Sequence, residues 1–286
     1  MGKPPIIIIG MHRSGTTMLA KFLGELGVFM GNDKEKNYES KFFQKLNKWM
    51  LSVAGCSWDN PDGFGLLLDN RDILSIINSR IENTVNSLFL YQFFGAFKFI
   101  KNRSLFNLNS PWGWKDPRTT ITLPIWLKLF PNAKIIYITR HGVDVANSLY
   151  TREMRFIKDN QNYLLTQFNQ RLTSILPIIR GGIVSSTVCQ TFDRSFGLWM
   201  RYMEIGEGHV AKYNDSILTI RYESLLENPD EILNQILTFS DIEAEDEKIQ
   251  ELCNRIKKNR NKAYRNDDKL MEYAKLKSPE LSRFGY

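Results

Sequence analysis

The stretch "PIIIIGMHRSGTTMLAKFLGELG", Pro5 to Gly27, decides the fold of this chain. Ile6 to Ile9 form an unbroken β-branched run, which suits a strand buried on both faces of a parallel sheet. Gly10 ends the run. Met18, Leu19, Phe22, Leu23 and Leu26 then recur at three- and four-residue steps, a helical period that stops at Gly27. Strand, glycine-containing loop and helix N-terminus aim unpaired N–H groups and a positive dipole end at one point, so the natural occupant is an anion. Ser14, Thr16 and Thr17 can add hydroxyl donors. The loop nearly fits the phosphate-binding pattern G-x-x-x-x-G-K-[ST], with Gly10, Gly15 and Thr17 in register and Thr16 where the lysine belongs.

The strand-then-helix pattern returns twice. Ile135 to Ile138 precede "TRHGVDVANSLYTR", and Ile217 to Ile220 precede "RYESLLENPDEILNQIL", where Asn228 is an N-cap candidate and Pro229 falls in the first turn. This alternation predicts one α/β domain over residues 1–286, a P-loop-like parallel sheet of about five strands with helices on both faces. Between these units, a helix carries Phe43, Leu46, Met50 and Val53 on one face, and Trp58 to Gly65 is a loop. Asp72 to Ile100 reads as one long or two shorter helices, and "SPWGWKDPRTT" as a second polar loop. Residues 160–215 are mostly helical in pattern, punctuated by Gly181 and Gly182. The last amphipathic helix places Ile249, Leu252, Cys253 and Ile256 together.

A net charge of +7 over 286 residues favours anionic ligands. Nucleic acid is not an expected partner, because the densest basic cluster, Lys257 to Lys262, is short and no zinc-finger or RNA-binding spacing occurs. Cys56, Cys189 and Cys253 are odd in number and widely spaced, which argues against a disulfide framework and against a cysteine metal site. With no signal-peptide pattern in "MGKPPIIIIG", the expectation is a cytoplasmic protein. The most apolar stretch, Val85 to Ile100, is interrupted by Asn86, Gln92, Gly95 and Lys98 and is short for a bilayer span.

A nucleoside triphosphatase holds magnesium with a carboxylate, usually at the end of an apolar strand. Here the later strands end in "TRH" and "RYE", so the loop is expected to handle its anion without a metal, with Arg13 supplying charge. These residues resemble the sulfotransferases that use 3′-phosphoadenosine-5′-phosphosulfate, in particular the bacterial and tyrosylprotein branches. The resemblance rests on "RSGTT" at Arg13 to Thr17, on Arg140 with Ser148 eight residues later, on "WKDPR" at Trp114 to Arg118 and on "RYESLLENP" at Arg221 to Pro229. Four motifs in the family's order span most of the chain.

The resemblance implies a set of roles. Arg13, Ser14, Gly15, Thr16 and Thr17 hold the 5′-phosphosulfate, Arg140, Ser148 and Arg152 hold the 3′-phosphate, and Tyr222 lies near the adenine. Arg13 and Lys115 neutralise the leaving oxygen, and Glu39, in "NYESKFF", is the general base, with Asp116 and His141 as rivals. His12 packs or binds phosphate, and Lys257, Lys258 and Arg260 fall where other branches close over the 3′-phosphate. The implied reaction moves a sulfuryl group to a hydroxyl or amine of a small-molecule acceptor. A P-loop small-molecule kinase and a nucleotide-binding module without catalysis are the alternatives. The segments Trp58 to Ile100 and Glu153 to Ser195 are expected to set the acceptor.

Overall fold

Ile6, Ile7, Ile8 and Ile9 alternate between two hydrophobic cores. In the computed structural model, which describes residues 2–166 and 185–286, they form strand β1. Ile6 and Ile8 face one core and Ile7 and Ile9 the other, and none is more than 2% exposed. A strand with two buried faces has no use for polar alternation, which is why the run is wholly apolar.

Strands β2 (Gly113–Lys115), β3 (Lys134–Thr139) and β4 (Ile217–Arg221) complete the sheet, in the order β2-β1-β3-β4 with every pair parallel. Four strands are present among the described residues, against the five or so expected. Among the described residues the segments between them form helices, turns and loops, and no further strand joins the sheet. The second loop is also corrected, because its centre is β2, with Gly113 paired to Ile6 and Lys115 to Ile8. A side chain at Gly113 would put Cβ 1.9 Å from the Ile6 carbonyl oxygen, so this close backbone approach requires glycine.

Among the described residues the helices are, in chain order, α1 (Thr16–Glu25), α2 (Lys41–Val53), α3 (Phe64–Asp69), α4 (Arg71–Val85), α5 (Tyr91–Lys101), α6 (Thr119–Leu129), α7 (Gly142–Thr166) and α8 (Phe192–Lys212). The chain continues through α9 (Tyr222–Glu227), α10 (Pro229–Phe239), α11 (Asp246–Asn254), α12 (Asp268–Leu276) and α13 (Ser278–Arg283). Leu19 and Leu23 of α1, Leu225 of α9, Ile236 of α10 and Leu252 of α11 cover the Ile6 and Ile8 face. Phe43 of α2, Ile81 of α4, Phe93 of α5, Trp126 of α6, Leu149 of α7 and Trp199 of α8 cover the opposite face. Helices thus lie on both sides of the sheet, as the alternation predicts.

Two local readings change, and one left open between two forms is settled. On α2 the buried face carries Asn47, fully enclosed, while Val53 is 44% exposed. Asn47 is tolerated there because both ends of its amide are satisfied: Nδ2 donates to Asp116 and Thr119, and Oδ1 accepts from Thr122 and Trp126. Helix α11 is not the last, since α12 and α13 follow it, and Ile256 lies beyond its end. Asp72 to Ile100 forms two helices, α4 and α5, separated by a 3-10 turn at Leu88–Leu90. Gly181 and Gly182 lie outside the described residues.

The sheet order creates a crevice. From β1 the chain crosses to β2 on one side, then returns past β1 to β3 on the other, so the connections diverge where β1 and β3 end. Ligands of open α/β sheets bind at such a switch point. Among the described residues no helix is long and apolar enough to cross a membrane.

Candidate active site

All four strands deliver residues to one cleft of about 610 Å³ at this switch point. Arg13 to Thr17 follow β1, Lys115 ends β2, Arg140 follows β3 and Tyr222 follows β4. The loop after β1 is held tightly curved by Arg13 at φ 73° and Gly15 at φ 96°. A Cβ on Gly15 would sit 2.3 Å from the Tyr222 ring, so glycine is what lets that ring close on the loop. At the start of α1 the backbone N–H groups of Gly15, Thr16 and Thr17 find no backbone acceptor among the described residues, which leaves an anion-binding helix terminus.

The cleft is strongly cationic. Among the described residues nine lysine and arginine side chains line it, Arg13, Arg140 and Arg152 among them, against one carboxylate, Glu39. Arg13 Nε donates to Ser148 Oγ at 2.7 Å, and Arg140 donates to the Arg13 carbonyl at 3.2 Å, so the loop is tied to β3 and α7. The Arg140 guanidinium also lies 4.7 Å from the Tyr222 ring centre, pairs with Asp144 at 3.3 Å and donates to the Arg260 carbonyl at 3.3 Å. Arg152 lies 5.1 Å from the ring centre of Trp58. Burial, then repulsion from Arg152 and Arg140, lowers the pKa of Arg13. Ser14 Oγ, His12 Nε2, Arg140 Nε and Arg152 Nε are buried without a hydrogen-bond partner among the described residues. Unanswered donors among crowded cations fit a polyanionic ligand.

Glu39 precedes α2 and is 5% exposed. Lys115 Nζ donates to its Oε1 at 3.1 Å and to Thr17 Oγ1 at 3.3 Å, standing between the carboxylate and the loop. Gln44 donates to Oε2 at 2.9 Å, and the Arg118 guanidinium lies 3.5 Å from the same oxygen. Burial raises the Glu39 pKa, but Lys115, the Gln44 hydrogen bond and Arg118 outweigh it and leave the group below its ordinary value. Burial also lowers Lys115, with Glu39 partly offsetting it.

The rivals are placed elsewhere. Asp116 is fully enclosed by Asn47 and Arg118 and does not line the cleft. His141 stacks on Tyr264 with centroids 4.2 Å apart, also away from the cleft. Burial, then Arg265, Lys262 and Arg140, pushes its pKa down to about 4. His12 does line the cleft, edge-on to Trp58 at 4.7 Å, and burial, then the surrounding cations, holds its pKa well below the ordinary value.

Sequence comparison bears on the same residues. The sulfotransferase family profile matches residues 4–246, a span that includes all four motifs. The chain belongs to the sulfotransferase family. It is an enzyme of sulfuryl transfer. No curated protein matches this sulfotransferase in sequence. Among solved structures it is similar to sulfotransferase STF1 from Mycobacterium tuberculosis H37Rv, at 15% identity over 89% of this chain and 72% of that one, with a TM-score of 0.50. It is also similar to the sulfotransferase domain from the curacin biosynthetic pathway, at 17% identity over 97% and 98% of the two chains, with a TM-score of 0.48. Mouse sulfotransferase SULT7A1, complexed with PAP, matches at 15% identity over 89% of this chain and 64% of its own, with a TM-score of 0.45.

Sequence reasoning missed several residues of this sulfotransferase. Lys21, Lys36 and Arg255 line the cleft, and Arg118 contacts the Glu39 carboxylate just behind it. Lys21 and Lys36 belong to none of the motifs, while the signal for Arg118 was its place in "WKDPR". Of the basic cluster after α11, Lys257 and Arg260 reach the cleft and Lys258 does not line it. Ser14 and Ser148 do not line it either: Ser14 is 1% exposed within the loop and Ser148 meets Arg13.

Proposed function

We propose that this sulfotransferase takes its sulfuryl group from 3′-phosphoadenosine-5′-phosphosulfate, without a metal, and passes it to a hydroxyl or amine of a small-molecule acceptor. The observation that carries the reading is the nine-to-one excess of cations in a cleft that also holds unpartnered buried donors. When bound, that donor supplies a sulfuryl group on a phosphate leaving group. Thr16, Thr17 and the α1 terminus bind its 5′-phosphate, Arg140 and Arg152 its 3′-phosphate, and Tyr222 offers an aromatic face to the base. Arg13 and Lys115 neutralise charge growing on the leaving oxygen.

Glu39 takes the proton from the acceptor, because it is the cleft's carboxylate and faces the loop across Lys115. Its basicity is low while Lys115 is bound to it and rises as Lys115 turns toward an anion. His12 stays neutral near pH 7 and serves as a hydrogen-bonding group rather than a base. The cleft volume of about 610 Å³ suits a nucleotide together with a small acceptor.

The test is ligand-linked melting. 3′-Phosphoadenosine 5′-phosphate should raise Tm in the presence of a chelator, as a ligand selective for the folded state must, and ATP with magnesium should raise it markedly less. The reverse order would overturn the donor assignment.

A further inference from the structure

The Glu39 carboxylate is held by two cations that differ in what else they do. Lys115 lines the cleft and reaches Thr17 Oγ1 of the loop as well as Glu39. A ligand anion therefore competes with Glu39 for it. Arg118 does not line the cleft, and its side chain is only 11% exposed. Its NH1 lies 2.9 Å from Asp116 Oδ1 and 3.5 Å from Glu39 Oε2, so one guanidinium nitrogen bridges the two carboxylates.

The anchor behind Arg118 is rigid. Asp116 is 0% exposed, accepts from the Arg118 backbone N–H at 3.0 Å and accepts from Asn47 Nδ2 at 2.9 Å. Asn47 in turn joins α2 to α6 through Thr122 and Trp126, both at 2.8 Å. A guanidinium fixed by a buried carboxylate keeps its direction when its neighbours move.

We infer that Arg118 is a positioning residue, keeping Glu39 ionised and aimed at the cleft when Lys115 is drawn to the ligand. The inference rests on the reading of Glu39 as base. The charged and titratable groups around that carboxylate are Lys115 at the end of β2, Arg118 and Asp116 before α6, His12 in the loop, Lys36 and Glu35 on the connection to α2, and Tyr202 of α8. Of the cations named here, Arg118 is the one paired at close range with a buried carboxylate besides Glu39.

The experiment follows the Glu39 carboxyl by NMR in full-length protein labelled with ¹³C-glutamate, using Glu39→Gln to identify the signal. In Arg118→Met the Glu39 titration should move upward, most clearly with 3′-phosphoadenosine 5′-phosphate bound, and Arg118→Lys should return it part of the way. Affinity for the bisphosphate should be unchanged in both variants. Turnover with p-nitrophenol as surrogate acceptor should fall about tenfold in Arg118→Met, the scale expected of a misplaced catalytic group. A Glu39 titration that stays put in Arg118→Met overturns the inference, and Arg118→Lys applies the same test should the methionine variant not fold. Normal turnover in Glu39→Gln overturns the base assignment instead, while the NMR arm still decides whether Arg118 holds the carboxylate.

Discussion

Arg13 and Ser148, 135 residues apart in sequence, meet through a 2.7 Å hydrogen bond that fastens the loop after β1 to helix α7. The sequence pairs Ser148 with Arg140, yet the side chain it touches belongs to the other loop. The two strand-end loops are therefore one mechanical unit, since Arg140 also donates to the Arg13 carbonyl. Arg13 adopts positive φ, a conformation costly for a non-glycine residue, and the two bonds hold it there.

Ser148→Ala should free the Arg13 side chain and weaken binding of 3′-phosphoadenosine 5′-phosphate by about five- to tenfold, the scale of one net hydrogen bond. Isothermal titration calorimetry measures it. Unchanged affinity would mean that Arg13 is held by the ligand alone.

Arg140→Ala should separate the two phosphates. Binding of the 3′,5′-bisphosphate should fall by about tenfold or more, while adenosine 5′-phosphosulfate, which lacks the 3′-phosphate, should bind nearly as before, because a charge-assisted bond to an absent group cannot be lost. Equal losses for the two ligands would place Arg140 elsewhere on the nucleotide.

Gly15→Ala should displace the Tyr222 ring, since the new Cβ would lie 2.3 Å from it at a backbone φ of 96°. The expected cost is about 1–3 kcal/mol of stability, read as a lowered midpoint in urea, with loss of nucleotide binding. Tyr222→Ala should recover part of the stability in the Gly15→Ala background and none of the binding. A stable single variant that still binds would show that the ring does not need to close on the loop.

Acid should destabilise the protein through His141. Its folded pKa of about 4 lies below the ordinary 6.5, so the unfolded chain binds more protons between these values and stability falls as pH drops through that window. At about 1.4 kcal/mol per pH unit the effect is worth about 3 kcal/mol, complete below pH 4. His141→Phe keeps the stack on Tyr264 and removes the titration. Its stability relative to the parent should rise as pH falls from 6.5 to 4. A flat difference across that range would exclude His141, leaving His12 and His209, whose pKa values burial also lowers, as the sources.

The sequence by itself determined the elements whose signal is local. Ile6 to Ile9 must be buried on both faces, because nothing in them can meet water, and the glycine-bracketed loop before an apolar helical period puts a helix N-terminus with unpaired N–H groups at the strand's end. Ile135 to Ile138 and Ile217 to Ile220 were legible for the same reason, and the motifs placed Arg13, Lys115, Glu39 and Arg140, which the cleft brings together. Tertiary structure decided whatever depends on pairing across the chain. Three residues at Gly113–Lys115 carry too little pattern to declare a strand, and become one because the edge of β1 satisfies their backbone groups. The same holds for charges: Asp116 and His141 are as acidic or basic in the sequence as Glu39, but packing seals the first under Asn47 and Arg118 and stacks the second on Tyr264. Only the cleft, a product of where β1 and β3 diverge, separates the carboxylate that lines it from those that hold the fold together.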